Sequence, residues 1–252
     1  MTTAAQPTTD RVTVFPTCLG DLTMPDVVAR TFAALRACGY QPRLAEDVTC
    51  CGQPAYNSGF DAQARRVARA TLKGLSRTDG PIVVPAGSCS AMMILHWREL
   101  FRGTRHERDA VRVSQRVREL TTVLAERADR LAALGLRWDG TVAYHDSCHM
   151  LRELRIADAP RAVLGAVEGV TVVSTGVAPR CCGFGGTFSM RYPEVSTAMA
   201  DATLDDATAA SAHAVVSADP GCLMHLGARA GRRGDAPRVM HVATFLHEAG
   251  LR

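Results

Sequence analysis

Aromatic residues are scarce in this 252-residue chain, and long apolar runs and a large net charge are absent. Phe, Trp and Tyr make up only 5% of the residues, which argues against a surface that stacks on nucleic-acid bases. No run of 18 apolar residues occurs, so the sequence predicts no transmembrane segment. The formal net charge is only +4, and the arginines from Arg98 to Arg137 are balanced by acidic residues, which indicates solvated helix surfaces rather than a nucleic-acid site.

The N-terminal segment also lacks the apolar core of a secretory signal. Residues 1–11 are polar and rich in Thr and Ala, which predicts a flexible N-terminus and a cytoplasmic protein. In that reducing compartment, nine cysteines are expected to be metal ligands, redox groups or buried thiols rather than disulfides.

Each half of the chain repeats one plan, in which a short apolar run ends in a turn, a cysteine follows, and a helical pattern comes next. The four apolar runs are residues 12–15, 82–84, 142–145 and 214–216. Short β-branched runs that alternate with helical stretches predict an α/β fold of two pseudo-symmetric repeats with mostly parallel sheets. The cysteine loops are then expected at the C-terminal ends of the strands, where loops converge on one crevice.

The helical periods set the expected boundaries. Val28, Phe32 and Leu35 form one apolar stripe that Gly39 ends, and a second stripe covers residues 60–75. Apolar residues at steps of three and four predict one long helix over residues 107–134 that links the halves. The prediction is therefore a first repeat at 12–137, which includes this linking helix, and a second repeat at 138–252.

The cysteines are placed twice in the same register. Cys-Cys-Gly occurs at residues 50–52 and again at 181–183. Cys18 precedes the first pair by 32 positions and Cys148 precedes the second by 33. The downstream members are Cys89 and Cys222, so eight of the nine cysteines form two quartets. Cys38 has no counterpart, and its place on the apolar stripe of the first helix predicts a core residue.

Four converging thiolates can hold an iron–sulfur cluster or a tetrahedral zinc ion. Adjacent cysteines suit a multi-iron cluster better than one tetrahedral ion, since neighbouring thiolates can reach different irons. Gly52 and Gly183 are expected to permit a sharp turn and, lacking Cβ, to let the chain approach inorganic sulfide. Zinc and simple buried thiols are the alternatives. The stretch from Gly183 to Thr187 fails the dinucleotide-binding pattern, because Phe188 stands where the last glycine would be.

Longer motifs resemble a known family. They are CCGQPAYNSG at 50–59, GSC at 87–89, SCHM at 147–150, CCGFGGTFS at 181–189 and GCLM at 221–224. These resemble the lactate utilisation protein A family, whose CCG-type cysteine-rich domain also occurs in heterodisulfide reductase and in the iron–sulfur component of glycolate oxidase. The resemblance covers nearly the whole chain, from about residue 12 onward.

The resemblance implies an iron–sulfur component of a multi-subunit system that oxidises L-lactate to pyruvate and relays electrons through clusters, alongside a ferredoxin-like partner and a small third subunit. It implies clusters of the 4Fe-4S type, up to one in each repeat. The implied metal ligands are Cys18, Cys50, Cys51 and Cys89 in one site and Cys148, Cys181, Cys182 and Cys222 in the other. An iron–sulfur protein of the heterodisulfide reductase or glycolate oxidase type with another substrate, and a zinc-stabilised interaction module, are the alternatives.

Two departures concern the ligand set. In the heterodisulfide reductase relatives the downstream cysteine belongs to C-x-x-C, but here the corresponding positions are Met92 and His225. His225 is therefore either an imidazole ligand or a surface histidine. No catalytic residue is assigned. A small 2-hydroxy acid would need a base and a cation, and the candidates near the expected crevice are His145, His149, Arg152, Arg180 and Arg191.

Overall fold

Two sheets of four parallel strands organise the protein. The computed structural model describes residues 10–175 and 180–252. The strands of the first sheet are β1 (Arg11–Val14), β2 (Gln41–Leu44), β3 (Ile82–Val84) and β4 (Val117–Glu119). Those of the second are β5 (Arg137–Tyr144), β6 (Glu168–Ser174), β7 (Ala214–Ser217) and β8 (Arg238–His241). Both sheets have the same order, β2-β1-β3-β4 and β6-β5-β7-β8, which confirms the predicted α/β fold of two repeats with parallel sheets.

Helices connect the strands in both repeats. In the first they are α1 (Cys18–Thr23), α2 (Asp26–Ala37), α3 (Gln53–Tyr56), α4 (Asp61–Leu75), α5 (Gly87–Ala91), α6 (Trp97–Leu100), α7 (Glu107–Ser114), α8 (Leu120–Ala125) and α9 (Ala128–Ala132). In the second they are α10 (Asp158–Gly165), α11 (Thr187–Arg191), α12 (Pro193–Ala209), α13 (Pro220–Arg233) and α14 (Val242–Glu248). Single π-helical turns lie at Met92–His96 and His149–Glu153. None of these helices has the length and apolar content needed to cross a bilayer.

The helix α2 shows how spacing determines which face is buried. Its buried residues Val27, Thr31, Ala34 and Leu35 are separated by about one helical turn or less, and Cys38 continues the same face with no exposed surface. The prediction that Cys38 belongs to the core is confirmed. Gly39 follows with a φ of 81°, a left-handed conformation that ends the helix.

The predicted long helix over residues 107–134 is wrong. Helix α7 ends at Ser114, β4 pairs with β3 as the edge strand of the first sheet, and α8 and α9 follow as separate short helices. Val113, Val117, Leu120 and Leu124 are all buried, but in a helix, a strand and a second helix rather than on one helical face. A strand of only three residues is too short to disturb the helical spacing of apolar residues in the sequence, so the spacing alone does not reveal it.

The flexible N-terminus predicted for residues 1–11 falls largely on residues 1–9, which lie outside the described residues. Arg11, however, already lies in β1 and pairs with Gln41 of β2. The ordered sheet therefore begins earlier than the polar composition of the segment indicated.

Strand order places the cysteines. In the first sheet β2 lies on one side of β1, whereas β3 and β4 lie on the other side, so the strand order reverses between β1 and β3. The second sheet has the same reversal between β5 and β7. Ligand sites of open parallel sheets form at such a reversal, beyond the carboxyl ends of the two strands. Cys18 follows β1 and Cys89 follows β3, while Cys148 follows β5 and Cys222 follows β7. The adjacent cysteine pairs come from the loops after β2 and β6.

The two repeats are joined by one shared core. A single apolar cluster contains Val12 and Val14 of β1 together with Val142 and Tyr144 of β5, and it extends to Phe245 of α14. Smaller clusters complete the packing within each repeat. Burial on both faces explains why the central strands are continuous apolar runs.

Candidate metal centres

The four cysteines of the first quartet lie together. Cys51 Sγ and Cys89 Sγ are 3.4 Å apart, and the thiol groups of Cys18 and Cys51 both hydrogen-bond to Cys50. Cys51 and Cys89 are buried, whereas Cys18 and Cys50 are half-buried. Three loops that are distant in sequence thus bring four sulfur atoms to one place.

The second quartet repeats this arrangement. Cys182 Sγ and Cys222 Sγ are 3.0 Å apart, and the thiol groups of Cys148 and Cys182 both hydrogen-bond to Cys181. Cys182 and Cys222 are buried, and Cys148 and Cys181 are half-buried, as are their counterparts in the first repeat. The two sites are therefore equivalent in both connectivity and exposure.

Hydrogen bonds among the sulfur atoms separate their acidities. Hydrogen bonds from Cys18 and Cys51 lower the pKa of Cys50 to about 3, and those from Cys148 and Cys182 lower the pKa of Cys181 to about 2. The peptide N–H groups of Gly52 and Gly183 also donate to these two sulfur atoms, at 3.4 and 3.5 Å. The lowered pKa values favour the thiolate form of Cys50 and of Cys181, which is the form that binds metal.

Four other thiols of the two sites are less acidic than a free cysteine, whereas the hydrogen bond from Cys182 lowers the pKa of Cys222. The hydrogen bond to Cys50 raises the pKa of Cys18 and of Cys51, and the hydrogen bond to Cys181 raises the pKa of Cys148 and of Cys182. Metal binding by all four sulfur atoms would therefore release protons.

Gly52 and Gly183 are required by the backbone beside each cysteine pair. Their φ angles are 92° and 87°, in the left-handed region that glycine tolerates best. A Cβ at Gly52 would lie 2.7 Å from the carbonyl oxygen of Ala64, and one at Gly183 would lie 2.4 Å from that of Ser196. The expected sharp turn is present, but the missing Cβ makes room for the backbone of α4 at Gly52 and of α12 at Gly183 rather than for the sulfur atoms.

The donor set of each site fits an iron–sulfur cluster. Soft sulfur donors select zinc, copper(I) or iron–sulfur clusters over hard cations. Every site has two adjacent cysteines and two further cysteines from separate loops, and the inner pair is shielded from solvent. The described cysteines form no disulfide, so all four thiols of each quartet are available as ligands.

The positions that depart from the C-x-x-C pattern do not supply ligands in this structure. Met92 is fully buried and packs in the apolar cluster that contains Cys51 and Cys89. The Nε2 atom of His225 lies 3.0 Å from the hydroxyl oxygen of Ser196, on the neighbouring helix α12. Of the two interpretations of His225, the structure favours a histidine engaged outside the sulfur site.

A different histidine does face the second site. One ring nitrogen of His145 and the sulfur atoms of Cys182 and Cys222 all lie within 4.8 Å of one another, and all three residues are buried. The sequence placed His145 near the crevice only as a candidate for binding substrate. The available signal was its position three residues before Cys148, where the first repeat has Phe15 before Cys18.

The other candidates for binding substrate have local partners. Arg180 lies 2.5 Å from the carboxylate of Asp206, so it pairs with α12. The Nδ1 atom of His149 lies 3.6 Å from Cys148 Sγ, and its Nε2 atom lies 3.1 Å from the side-chain nitrogen of Gln53 in the first repeat. Arg152 also has an interaction partner, and Arg191 is exposed.

A polar network beside Cys148 connects the repeats. The His96 ring joins Tyr56 and Glu153, with contacts of 3.2 Å to the phenol oxygen and 2.9 Å to the carboxylate. His149 lies 3.7 Å from the other carboxylate oxygen of Glu153. Residues that follow the first cysteine pair thus meet residues that follow Cys148, which fixes the two halves relative to each other.

The cysteine helices of the two repeats also pack on one another. A Cβ at Gly87, just before Cys89, would lie 2.2 Å from Met150 Cγ of the second repeat. The equivalent contact with the two repeats exchanged is also present, since a Cβ at Gly20 of α1 would lie 3.5 Å from Pro220 of α13. Asp219 completes this bridge, because its carboxylate accepts hydrogen bonds from the Ser88 N–H at 2.6 Å and from the Gly221 N–H at 3.1 Å.

One consequence is that each repeat contributes to the surroundings of the other site. A small cavity beside the first quartet is lined by Cys18, Cys51 and Cys89 and also by Pro220 and Gly221 of the second repeat. The two centres therefore lie at the interface of the repeats rather than on separate outer surfaces.

The chain is similar to known proteins over most of its length. Residues 12–94 and 142–227 each match the family model described as "CCG: Cysteine-rich domain". The chain is similar to "Lactate utilization protein A" of Anoxybacillus flavithermus, with 38% identity over 237 residues that cover 94% of this chain and 98% of that protein. The protein of the same name from Geobacillus kaustophilus is 37% identical over 238 residues, with the same coverage. That of an Exiguobacterium species is 35% identical over 243 residues, covering 94% and 97%.

Proposed function

We propose, from the premise that the chain belongs to the CCG cysteine-rich family of lactate utilization protein A, that it is the iron–sulfur component of a system that oxidises L-lactate to pyruvate. The observation that carries the proposal is the pair of equivalent four-cysteine sites at the strand-order reversals of two repeats. Each site is proposed to hold one cluster of the 4Fe-4S type.

The roles of this chain's residues follow from their positions. The ligands of one cluster would be Cys18, Cys50, Cys51 and Cys89, and those of the other Cys148, Cys181, Cys182 and Cys222. When bound, such clusters accept electrons one at a time, and two of them match the two electrons that lactate releases. The Gly52 and Gly183 amides stabilise negative charge on the adjacent cysteine sulfur atoms.

The proposal includes partners and a location. A ferredoxin-like iron–sulfur protein and a small third subunit are the proposed partners, and the cytoplasm is the proposed compartment. The half-buried outer cysteines of each site give a partner protein a route for electron transfer at the surface.

Anaerobic purification and reconstitution test the cluster assignment. Iron, zinc and acid-labile sulfide are measured, with EPR, for the wild type and for the Cys50→Ala, Cys181→Ala and Cys38→Ala variants. We expect Cys50→Ala and Cys181→Ala each to lose about half of the iron and sulfide, because each removes a ligand of one site. The matched control Cys38→Ala removes a buried core thiol outside both sites and should retain the full content. Zinc without sulfide in the wild type would establish the zinc-stabilised module instead.

Growth tests the substrate. Deletion of the gene in a strain without a redundant lactate oxidase should abolish growth on L-lactate and leave growth on glycolate intact. Complementation with the wild-type gene, but not with the Cys50→Ala variant, should restore growth on L-lactate. Normal consumption of L-lactate by the deletion strain would refute the lactate assignment, and loss of growth on glycolate alone would assign the protein to another 2-hydroxy acid.

A further inference from the structure

His145 is a fully buried histidine whose ring nitrogens have no nitrogen or oxygen partner among the described residues. It follows β5 directly, and none of its surface is exposed. Its backbone is fixed, since its N–H donates to the Val216 carbonyl at 2.8 Å and its carbonyl accepts from the Ser217 hydroxyl at 2.9 Å. Neither Nδ1 nor Nε2 makes a hydrogen bond of ordinary geometry among the described residues, and the side chain that interacts with the ring is the Cys222 thiol. A buried polar atom without a well-formed hydrogen bond destabilises the fold, so its presence needs a reason.

The surroundings of the ring supply that reason. A ring nitrogen of His145 and the sulfur atoms of Cys182 and Cys222 lie within 4.8 Å of one another, and no other three His, Cys, Asp or Glu side chains among the described residues bring their donor atoms this close together. Imidazole nitrogen together with thiolate sulfur is a donor combination used by zinc and by iron–sulfur centres. That ring nitrogen is thus directed at the second cysteine site.

The first repeat provides an internal comparison. Phe15 stands three residues before Cys18, as His145 stands three residues before Cys148. The two residues have equivalent backbone positions, because the Phe15 N–H donates to the Val83 carbonyl at 2.9 Å just as that of His145 donates to Val216. Phe15 is likewise fully buried. A phenyl ring satisfies the packing at this position, so burial alone does not explain the imidazole.

We propose that His145 is a protein ligand of the second centre, which then has an imidazole donor in addition to its cysteines, whereas the first centre has cysteines alone. The inference rests on the proposed function, because it takes the second quartet to be a metal centre. The two repeats would accordingly hold electronically different centres despite their similar folds.

Nitrogen hyperfine spectroscopy tests the ligand directly. The full-length protein is labelled with 15N-histidine, reconstituted anaerobically with iron and sulfide, and examined by pulsed EPR after partial reduction or oxidation. We expect the wild type to show a strongly coupled histidine nitrogen of a directly bound ligand. His145→Phe, which copies Phe15, should lose that coupling, and His225→Gln should retain it because His225 bonds to Ser196.

Each other result overturns the inference. Absence of a strongly coupled histidine nitrogen in the labelled wild type does so without any variant, and therefore does not depend on whether His145→Phe folds. Persistence of the coupling in His145→Phe, or its loss in His225→Gln, would assign the nitrogen to another residue.

The same sample separates the two proposals. Iron and acid-labile sulfide present without histidine coupling would overturn the His145 assignment and leave the proposed function intact. Absence of iron and sulfide after reconstitution would overturn the proposed function, and the His145 assignment with it.

Discussion

Glu119 is a buried carboxyl group, and its replacement by glutamine should change the stability of the protein in a pH-dependent way. It ends β4 and caps helix α8, where its Oε2 atom accepts hydrogen bonds from the Thr121 N–H at 2.8 Å and the Thr122 N–H at 3.3 Å. Its Oε1 atom has no partner among the described residues, and only 1% of the residue is exposed. Burial raises the pKa of Glu119 from 4.5 to about 7 despite the hydrogen bonds it accepts.

The direction in which stability changes with pH follows from proton linkage. The folded protein holds the Glu119 proton more tightly than the unfolded chain, so stability falls as the pH rises from 4.5 to 7. With 1.36 kcal/mol for each unit of pKa, ionisation costs about 0.8 kcal/mol at pH 5 and about 3.3 kcal/mol at pH 8. Glu119→Gln keeps an oxygen for the cap and removes the charge. The free energy of unfolding of Glu119→Gln, relative to that of the wild type, should therefore be about 2.5 kcal/mol greater at pH 8 than at pH 5.

Urea unfolding of the metal-free, reduced protein at pH 5 and pH 8 measures this difference. Subtracting the wild-type value at each pH removes the contribution of the cysteines, which both proteins share. Glu99→Gln, at an exposed glutamate of α6, is the matched control and should shift stability equally at the two pH values. An equal effect of Glu119→Gln at both pH values would refute the claim that the buried carboxyl is the source of the dependence.

Two other buried features give predictions that thermal or urea unfolding can check. Burial lowers the pKa of His241 to about 4, so acidification from pH 8 to pH 5 should reduce the free energy of unfolding of the wild type by about 2 kcal/mol. His241→Asn keeps an acceptor for the Ala243 N–H and should not show this loss. The same pH dependence in the variant and the wild type would contradict this prediction. Gly52→Ala should reduce the free energy of unfolding by about 1–3 kcal/mol more than Gly59→Ala. Both positions have a positive φ, but only the Cβ at Gly52 would meet the Ala64 carbonyl. Equal losses of stability would show that φ alone matters.

Local patterns in the sequence were sufficient for four of the eight strands and for the grouping of the cysteines. β-Branched runs followed by turns predicted β1, β3, β5 and β7, because a buried parallel strand is a continuous apolar run. Parallel order then requires the loops after neighbouring strands to converge, which brings the duplicated cysteines together. These inferences depend only on short-range composition and on one topological rule.

The misassigned segments depended on tertiary contacts. Val117 is buried because β4 pairs with β3, and nothing in its own spacing distinguishes that from a helical position. The spacing of His225 after Cys222 left its role open between a ligand and a non-ligand histidine, because the Ser196 that contacts its ring lies on a helix from elsewhere in the chain. His145 approaches the sulfur atoms because β5 and β7 are neighbours, a relation that no local motif encodes.

The exchanged contacts of the cysteine helices bear on how such a chain diverges. Gly20 against Pro220 and Met150 against Gly87 are the same contact seen from either repeat, as in a two-fold symmetric dimer of a single-repeat ancestor. In a homodimer, both copies of a position must carry the same side chain. Fusion into one polypeptide removes that constraint while the crossed contacts still hold the halves together. Phe15 and His145 are an example of such a difference: equivalent backbone positions carry a hydrocarbon ring in one repeat and an imidazole in the other.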